Sequence, residues 1–553
     1  VNVLCIMSDT FRRDHLAAYG DPAPWGRPGH AGEPFIHTPH LDRLAAQSAA
    51  FDRFYIGSYP TVPCRYDCFS GRYGFPTRGW QPLEPDDVIL SELVAAGGYT
   101  PMLIFDPPML ITDAYNYTRG FAGWDFVRGQ HADRYVVDPI PVALPAAPYK
   151  IKGGTAAYLR NTAFRRSERD WMCAQTLDRA ADWLERNRTR DDFALWVDIW
   201  DPHEPFDAPD YDLARYTDPA YTGDHPIYPR YGRADALTDA ERNDVRAHYA
   251  ALVTLTDRRI GRLLDTLEAT GLHRNTLVVF LSDHGHLFGD HGLQGKPTGP
   301  LGKLYEVTTR VPLLIRHPDG VGAGRRVGGI AQHPDILPTV LEWLGVPVPA
   351  TVQGKSLWPL IRGEAEDVRD FAVSGRFSRD VSSLVGGAWR ASDAAAFDGA
   401  AGAGGADEPL TLTTRRWSYL CPPAGGGDRE LYDLDVDPRQ TENVLDRHPE
   451  VVAALHGDLV AWLREHGAEA GRVAAYERHV APAPHAPLLP ESTPLYTAPD
   501  ARGRVFAFAA RGEAERGFAQ GSVRETTLAA LRRDQPDALV HIHDQYYRAD
   551  DLL

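Results

Sequence analysis

The chain has 553 residues, 43% hydrophobic and 24% charged. That is ordinary globular usage, enough for about three domains or one large α/β domain with an appendage, and it excludes whole-chain disorder. The formal net charge of −17 argues against nucleic acid or an anionic membrane surface as the main partner, while a metal or a few local cations could still hold a small anionic substrate.

Residues 1–10, VNVLCIMSDT, read as a buried strand that ends at Asp9 and Thr10. Apolar spacing predicts helices over 40–51, 170–187 and 237–271. The last opens with Thr238 three residues before Glu241, the spacing of a capping box, and ends at Gly271. Two further apolar runs, FALWVDIWDPHEPF (193–206) and NTLVVFLSDHGHLFGDHG (275–292), also read as buried strands that stop at charged or imidazole side chains. Strands alternating with helices indicate an α/β fold with at least part of the sheet parallel. In such sheets ligands bind at the carboxyl ends of the strands.

After about residue 370 the texture changes. Residues 388–409 are Gly/Ala-rich and read as a flexible loop, 410–420 alternates like one strand, and 430–445 reads as strand, turn and helix start. These define a smaller C-terminal domain at 371–475. The tail from 476 is Pro-rich, helical near 524–533, and ends in the apolar-aromatic alternation ALVHIHDQYY. It reads as a wrap around its own domain or an oligomer arm. The five cysteines include no CxxC pair, which argues against a disulfide scaffold or a structural zinc site. No run approaches 18 apolar residues, and Val1–Ile6 lacks the features of a signal peptide, so a cytoplasmic protein is expected.

Chemistry concentrates in two segments. SDHGHLFGDHG places Asp283, His284, His286, Asp290 and His291 within nine residues. Carboxylate plus imidazole suits zinc, manganese or iron better than an all-oxygen calcium cage. His286 and His291 are candidates for a second metal, with loop groups the plainer reading. SYPTVPCRYDCFSGRYGF (58–75) puts Thr61 two residues before Pro63, near an expected helix start. Thr61 is then either a helix cap or a hydroxyl nucleophile activated by a metal. Cys64 and Cys68 share a helix face and read as buried small residues. Trp80 and Trp124 read as core, the segments 78–83 and 127–135 as pocket walls, and Asp201 as a group that orients His203. Substrate specificity is expected from loops 21–36, 105–160 and 205–235.

Several pieces occur together in one order: VNVLCIMSDT, HTPHLDRLA, TVPCRYDCFSGR, DPHEPF, NTLVVFLSDHG, LYEVTTRVPLLIR, HPDILPTVLEWLG, VQGKSLWPLIRG and ELYDLDVDP. Over about residues 1–450 the chain resembles a sulfatase-type member of the alkaline phosphatase superfamily. The resemblance implies a large mixed, mostly parallel sheet sandwiched by helices in a catalytic domain at 1–370 and a smaller C-terminal α+β subdomain at 371–475; the tail at 476–553 lies beyond it. It implies one divalent metal (Mn, Zn, Fe and Ca all have precedents) held by Asp9, Asp283 and His284. Thr10 falls where the family often has another ligand. The metal-bound nucleophile position falls on Thr61, with Arg65 supporting it and the substrate anion. His203 would contact substrate or protonate its leaving group. Lys296 and Lys303 both qualify as the anion-binding lysine.

Two departures refine this. The family usually has Cys or Ser at the nucleophile position within C-x-P-x-R, converted to formylglycine; here the segment reads T-V-P-C-R, so no formylglycine forms at Thr61. The family's GYxTxxxGKWH becomes GGYTPMLIFDPP, without the lysine and histidine that grip sulfate. Phosphonate monoester and phosphodiester hydrolases of the superfamily lack that pair too. The expectation is therefore a Thr61-dependent, metal-dependent phosphodiester or phosphonate monoester hydrolase acting on a small anionic ester, with self-association through the tail. The alternatives are a sulfuric ester hydrolase without formylglycine and a catalytically inactive sulfatase-like binding protein.

Overall fold

A computed structural model describes residues 1–21, 35–112, 115–131, 133–296, 301–376, 408–424, 427–477, 489–518, 521–542 and 545–552. Its strands, in chain order, are β1 (Asn2–Ser8), β2 (Ala49–Tyr55), β3 (Thr100–Phe105), β4 (Gly123–Phe126), β5 (Phe193–Ile199), β6 (Tyr231–Arg233), β7 (Thr276–Ser282), β8 (Leu287–Phe288), β9 (Leu293–Gly295), β10 (Leu313–Arg316) and β11 (Arg326–Gln332). They continue with β12 (Ala372–Ser374), β13 (Leu410–Thr413), β14 (Trp417–Cys421), β15 (Glu430–Asp433), β16 (Pro494–Pro499), β17 (Val505–Phe508), β18 (Arg524–Thr527), β19 (Leu539–Ile542) and β20 (Gln545–Arg548).

The main sheet has eight strands in the order β11-β2-β10-β7-β1-β5-β3-β4. All its pairings are parallel except those of β10 with β2 and β7. The expected large, mostly parallel sheet is therefore present. The alternation of β1 explains why it is apolar on both sides: Val3, Cys5 and Met7 enter the core on one face, and Leu4 and Ile6 the core on the other. The long helix Asp239–Ala269 packs on the second face. Its capping box is as expected, with Glu241 N–H donating to Thr238 Oγ1 and Thr238 N–H to the Glu241 carboxylate. Thr238→Ala is expected to cost about 1 kcal/mol, read as a lower urea midpoint with unchanged slope.

Some boundaries differ from expectation. The predicted helix 40–51 ends at Ala46, because Ala49–Tyr55 pairs with a strand on each side and tertiary pairing overrides the helical spacing. Residues 410–420 make two strands rather than one, joined by a turn in which Thr414 and Trp417 bond each other. Together with β12 and β15 they form a four-stranded antiparallel sheet. The expected helix near 524–533 is β18 followed by a helix at Leu528–Asp534. Most of the Gly/Ala-rich loop and of loop 21–36 lies outside the described residues.

A third sheet, in the order β18-β16-β17-β19-β20-β6-β9-β8, joins five strands of the tail to three short strands of the N-terminal region. Phe506, Phe508, Val540 and Tyr546 of the tail are buried in it. The described tail strands thus pair with strands of their own chain. Among the described residues no helix is long and apolar enough to cross a membrane.

Candidate active site

β1 lies between β5 and β7 with Ser8 opposite both Ile199 and Ser282. The residues that follow these strands, Asp9, Trp200 and Asp283, therefore leave the sheet at one level. The Asp9 N–H donates to the Ile199 carbonyl (2.9 Å), which extends the ladder one step into the site. Thr10 follows with φ +63°, uncommon for a β-branched residue. In that conformation its N–H donates to Asp283 Oδ1 (2.8 Å) and its hydroxyl to Asp9 Oδ1 (2.8 Å). Thr10 thus ties the two carboxylates together. Gly285 lets the next segment come close, since a Cβ there would sit 1.9 Å from the Val307 carbonyl oxygen.

Asp9, Asp283 and His284 are fully buried, and their ligand atoms lie within 4.8 Å of one another. Asp9 Oδ2 has no hydrogen-bond partner; Arg65 Nη1 is 3.1 Å from it without hydrogen-bond geometry. Burial, with Asp283 next to it, pushes the Asp9 carboxyl up to about 7 against the pull of Arg65, Lys296 and His284. His284 Nδ1 lies 2.9 Å from the Gly285 carbonyl, so the imidazole donates there and turns the lone pair of Nε2 inward. Burial and the Lys296 charge lower its pKa to about 3, so the ring is neutral. An unpartnered carboxylate oxygen, a second carboxylate and a neutral imidazole are the donor set of a divalent cation.

Thr61 opens the helix Thr61–Ser70 directly after Pro60, and its Oγ1 lies 3.4 Å from His284 Nε2. It is buried and aimed into the ligand set, and no side-chain cap bond is made at this helix start. One turn later Arg65 is buried among carboxylates. Its Nε and Nη2 fork onto Asp198 (2.9 and 2.6 Å), and Nη1 reaches Asp283 Oδ2 (2.9 Å) and the Thr61 carbonyl (3.1 Å). Arg65 therefore fixes the acidic cluster rather than facing open space for an anion.

The opposite wall is basic. Lys296, 2% exposed, puts Nζ on His203 Nε2. His203 donates from Nδ1 to the Glu204 carbonyl (2.5 Å), and its ring lies 3.7 Å from Trp200. Lys303 is the correction: it pairs with Glu430 of β15 at 2.6 Å and takes no part in this wall. Lys296 follows β9, and the turn at Gly295 (φ +85°) passes where a Cβ would lie 2.1 Å from the Tyr231 ring. β6 carries Tyr231, whose hydroxyl contacts Glu204. The third sheet thus supports both Lys296 and the segment of His203.

Other expectations change. Asp201 does not orient His203; it accepts from Gln130 Nε2 (2.8 Å). Trp80 is core, but Trp124 is 49% exposed on the edge strand β4. In the segment 78–83, Arg78 pairs with Asp87 at 2.8 Å and Trp80 and Leu83 are buried in the core. Within 127–135, His131 packs edge-on to Trp200 and His203 and meets the Tyr228 hydroxyl. His286 sits against Phe206, Phe288 and Tyr231. His291 stacks on Tyr305 at 3.5 Å and lines a separate cavity of about 580 Å³. Neither joins the Asp9 cluster. Cys64 and Cys68 are buried, and Cys64 Sγ lies 2.8 Å from the Ser58 carbonyl oxygen. Asp198, Glu204 and Tyr231 were not anticipated, and His131 was anticipated only as part of the segment 127–135. The available signal for Asp198 was a lone charge inside the apolar run FALWVDIW.

The sulfatase family model matches residues 1–346. The multifunctional alkaline phosphatase superfamily protein PehA of Trinickia caryophylli is 28% identical over 427 residues, covering 66% of this chain and 78% of that protein. Human arylsulfatase K is 24% identical over 490 residues, covering 83% and 81%. The phosphonate monoester hydrolase of Agrobacterium radiobacter shares the fold with a TM-score of 0.63 at 23% identity, covering 84% of this chain and 96% of that one. The family match spans most of the chain and includes every strand end that carries the cluster, and on that basis the chain belongs to the sulfatase family of hydrolases.

Proposed function

We propose that the protein hydrolyses a phosphodiester or phosphonate monoester with Thr61 as nucleophile. The observation that carries this reading is a threonine hydroxyl, with no possible formylglycine, directed into the Asp9–Asp283–His284 set at 3.4 Å from His284 Nε2. Those three residues, with Thr61 Oγ1, would hold one divalent cation, which when bound supplies Lewis-acid charge and lowers the pKa of the hydroxyl.

In the first step the Thr61 hydroxyl gives its proton to solvent water, Oγ1 bonds to phosphorus, and the bond from phosphorus to the leaving oxygen breaks. Lys296 faces the charge on the transferring group, and the hydrogen-bonded pair of Lys296 and His203 delivers a proton to the departing alkoxide. The adduct on Thr61 keeps the second ester group or the phosphonate carbon. Water then attacks the same phosphorus in line, returning its proton to the Lys296–His203 pair, and the bond to Thr61 Oγ1 breaks as Thr61 regains a proton from solvent. A sulfated threonine lacks the exit of a formylglycine hydrate, which collapses to the aldehyde to release sulfate.

The arylsulfatase K relatives favour a sulfate ester as a second reading. A panel on metal-analysed protein separates the two, with one aryl leaving group on sulfate, phosphate monoester, phosphodiester and phosphonate monoester. The diester or phosphonate is expected to give the highest kcat/KM; a preference for sulfate would overturn the substrate assignment. At the wall, Lys296→Met is expected to lower kcat/KM about 100-fold, while Lys303→Met stays within about threefold because it loses only a partly exposed ion pair. Equal losses in the two variants would contradict the assignment of Lys296.

A further inference from the structure

A second group of ligating side chains lies away from this cluster. Asp244 and His248 are one turn apart on the long helix Asp239–Ala269, and His225 comes from the loop that follows His203. The ligand atoms of the three lie within 4.8 Å of one another. His225 Nδ1 is 3.0 Å and His248 Nε2 3.6 Å from the same oxygen, Asp244 Oδ2. Ligands at zinc distances in a tetrahedron are about 3.3 Å apart, and the two spacings bracket that value.

The protonation pattern agrees. His248 Nδ1 lies 3.0 Å from the Phe206 carbonyl, so it donates there and leaves the Nε2 lone pair facing the carboxylate. Donation of the second ring N–H to a backbone carbonyl is how ligating histidines are oriented. The pair is almost dry, with the His248 side chain 9% and that of Asp244 3% exposed, while His225, at 46%, leaves an open side for water or exchange. The neighbouring acids Asp224 and Glu241 are committed to Lys150, at 2.6 Å each.

We infer that His225, Asp244 and His248 form a second metal site, for a zinc-class divalent cation, that pins the loop after His203 to the long helix. The position gives the pin a purpose. Phe206, whose carbonyl holds His248, donates its N–H to Ile227 (2.6 Å), and the next residues supply Tyr228 and Tyr231 against His131 and Glu204. A cation at His225 therefore fixes the strap carrying the outer wall of the active site.

The test is calorimetric titration of Zn²⁺ into the full chain carrying Asp283→Asn and His284→Ala, which disables the first site. One Zn²⁺ per chain with micromolar or tighter affinity is expected, lost when His225→Ala and His248→Ala are added. No zinc uptake, or uptake that survives the added substitutions, would overturn the site and leave only a hydrogen-bonded His–Asp pair. Independently of folding in that background, metal analysis of zinc-saturated protein without those two changes is expected to fall by one equivalent with His225→Asn; an unchanged count would overturn it. Neither readout depends on the reaction assigned to Thr61.

Discussion

Thr61→Ala is expected to lower turnover of an aryl phosphodiester or phosphonate by about 10³-fold or more, the scale of losing a covalent nucleophile. The fold should survive, because no side-chain cap bond is made at this helix start and, among the described residues, the hydroxyl's hydrogen-bond contact is the 3.4 Å approach to His284 Nε2. Metal content should survive too, since Asp9, Asp283 and His284 remain. Thr61→Ser keeps the hydroxyl and is expected to retain measurable turnover. The direct measurement is acid quench of the wild-type protein during turnover, followed by mass spectrometry of the peptide containing Thr61. A phosphorus adduct on Thr61, absent in the alanine variant, is the expected result. Near-normal turnover in Thr61→Ala would instead mean that water attacks the substrate directly.

The parts of the site legible in sequence were those at strand ends. A buried parallel strand is a continuous apolar run, so the polar residue that stops it marks the sheet edge. Asp9 and Asp283 follow β1 and β7 at one level for that reason. Three kinds of residue were not legible. Asp198 lies inside β5, where Arg65, distant in sequence, forks onto it and Trp196 Nε1 donates to it. His131 and Tyr231 come from short loops and a three-residue strand that carry no periodic signal. The choice between Lys296 and Lys303 depended on which lysine a tertiary partner claims, and Glu430 of the second sheet claims Lys303. The same holds for the tail: its closing apolar-aromatic alternation left a wrap or an oligomer arm open, and the pairing of β20 with β6 joins it to a sheet within the chain.

Arg65 carries the second large prediction. Three fully buried carboxylates, Asp9, Asp198 and Asp283, surround one guanidinium. Removing that charge strips Asp198, the carboxylate outside the cation's ligand set, of its forked counter-ion, which costs roughly 3–5 kcal/mol for a broken buried pair. Arg65→Met is therefore expected to lower the apparent Tm strongly and to abolish turnover. Arg65→Lys should restore little, because one ammonium cannot reproduce the fork onto Asp198 while also reaching Asp283 and the Thr61 carbonyl. The variant that separates charge balance from catalysis is Arg65→Met with Asp198→Asn. Neutralising Asp198 removes that stranded anion, so part of the lost Tm should return while turnover does not, since Asp283 and the Thr61 backbone stay unheld. Thermal scans at one fixed rate, with metal analysis of each variant, make the comparison. If Arg65→Met were as stable as the wild type, the cluster would not depend on this charge. If the double variant recovered turnover with stability, Arg65 would act only as a counter-ion and would not position Thr61.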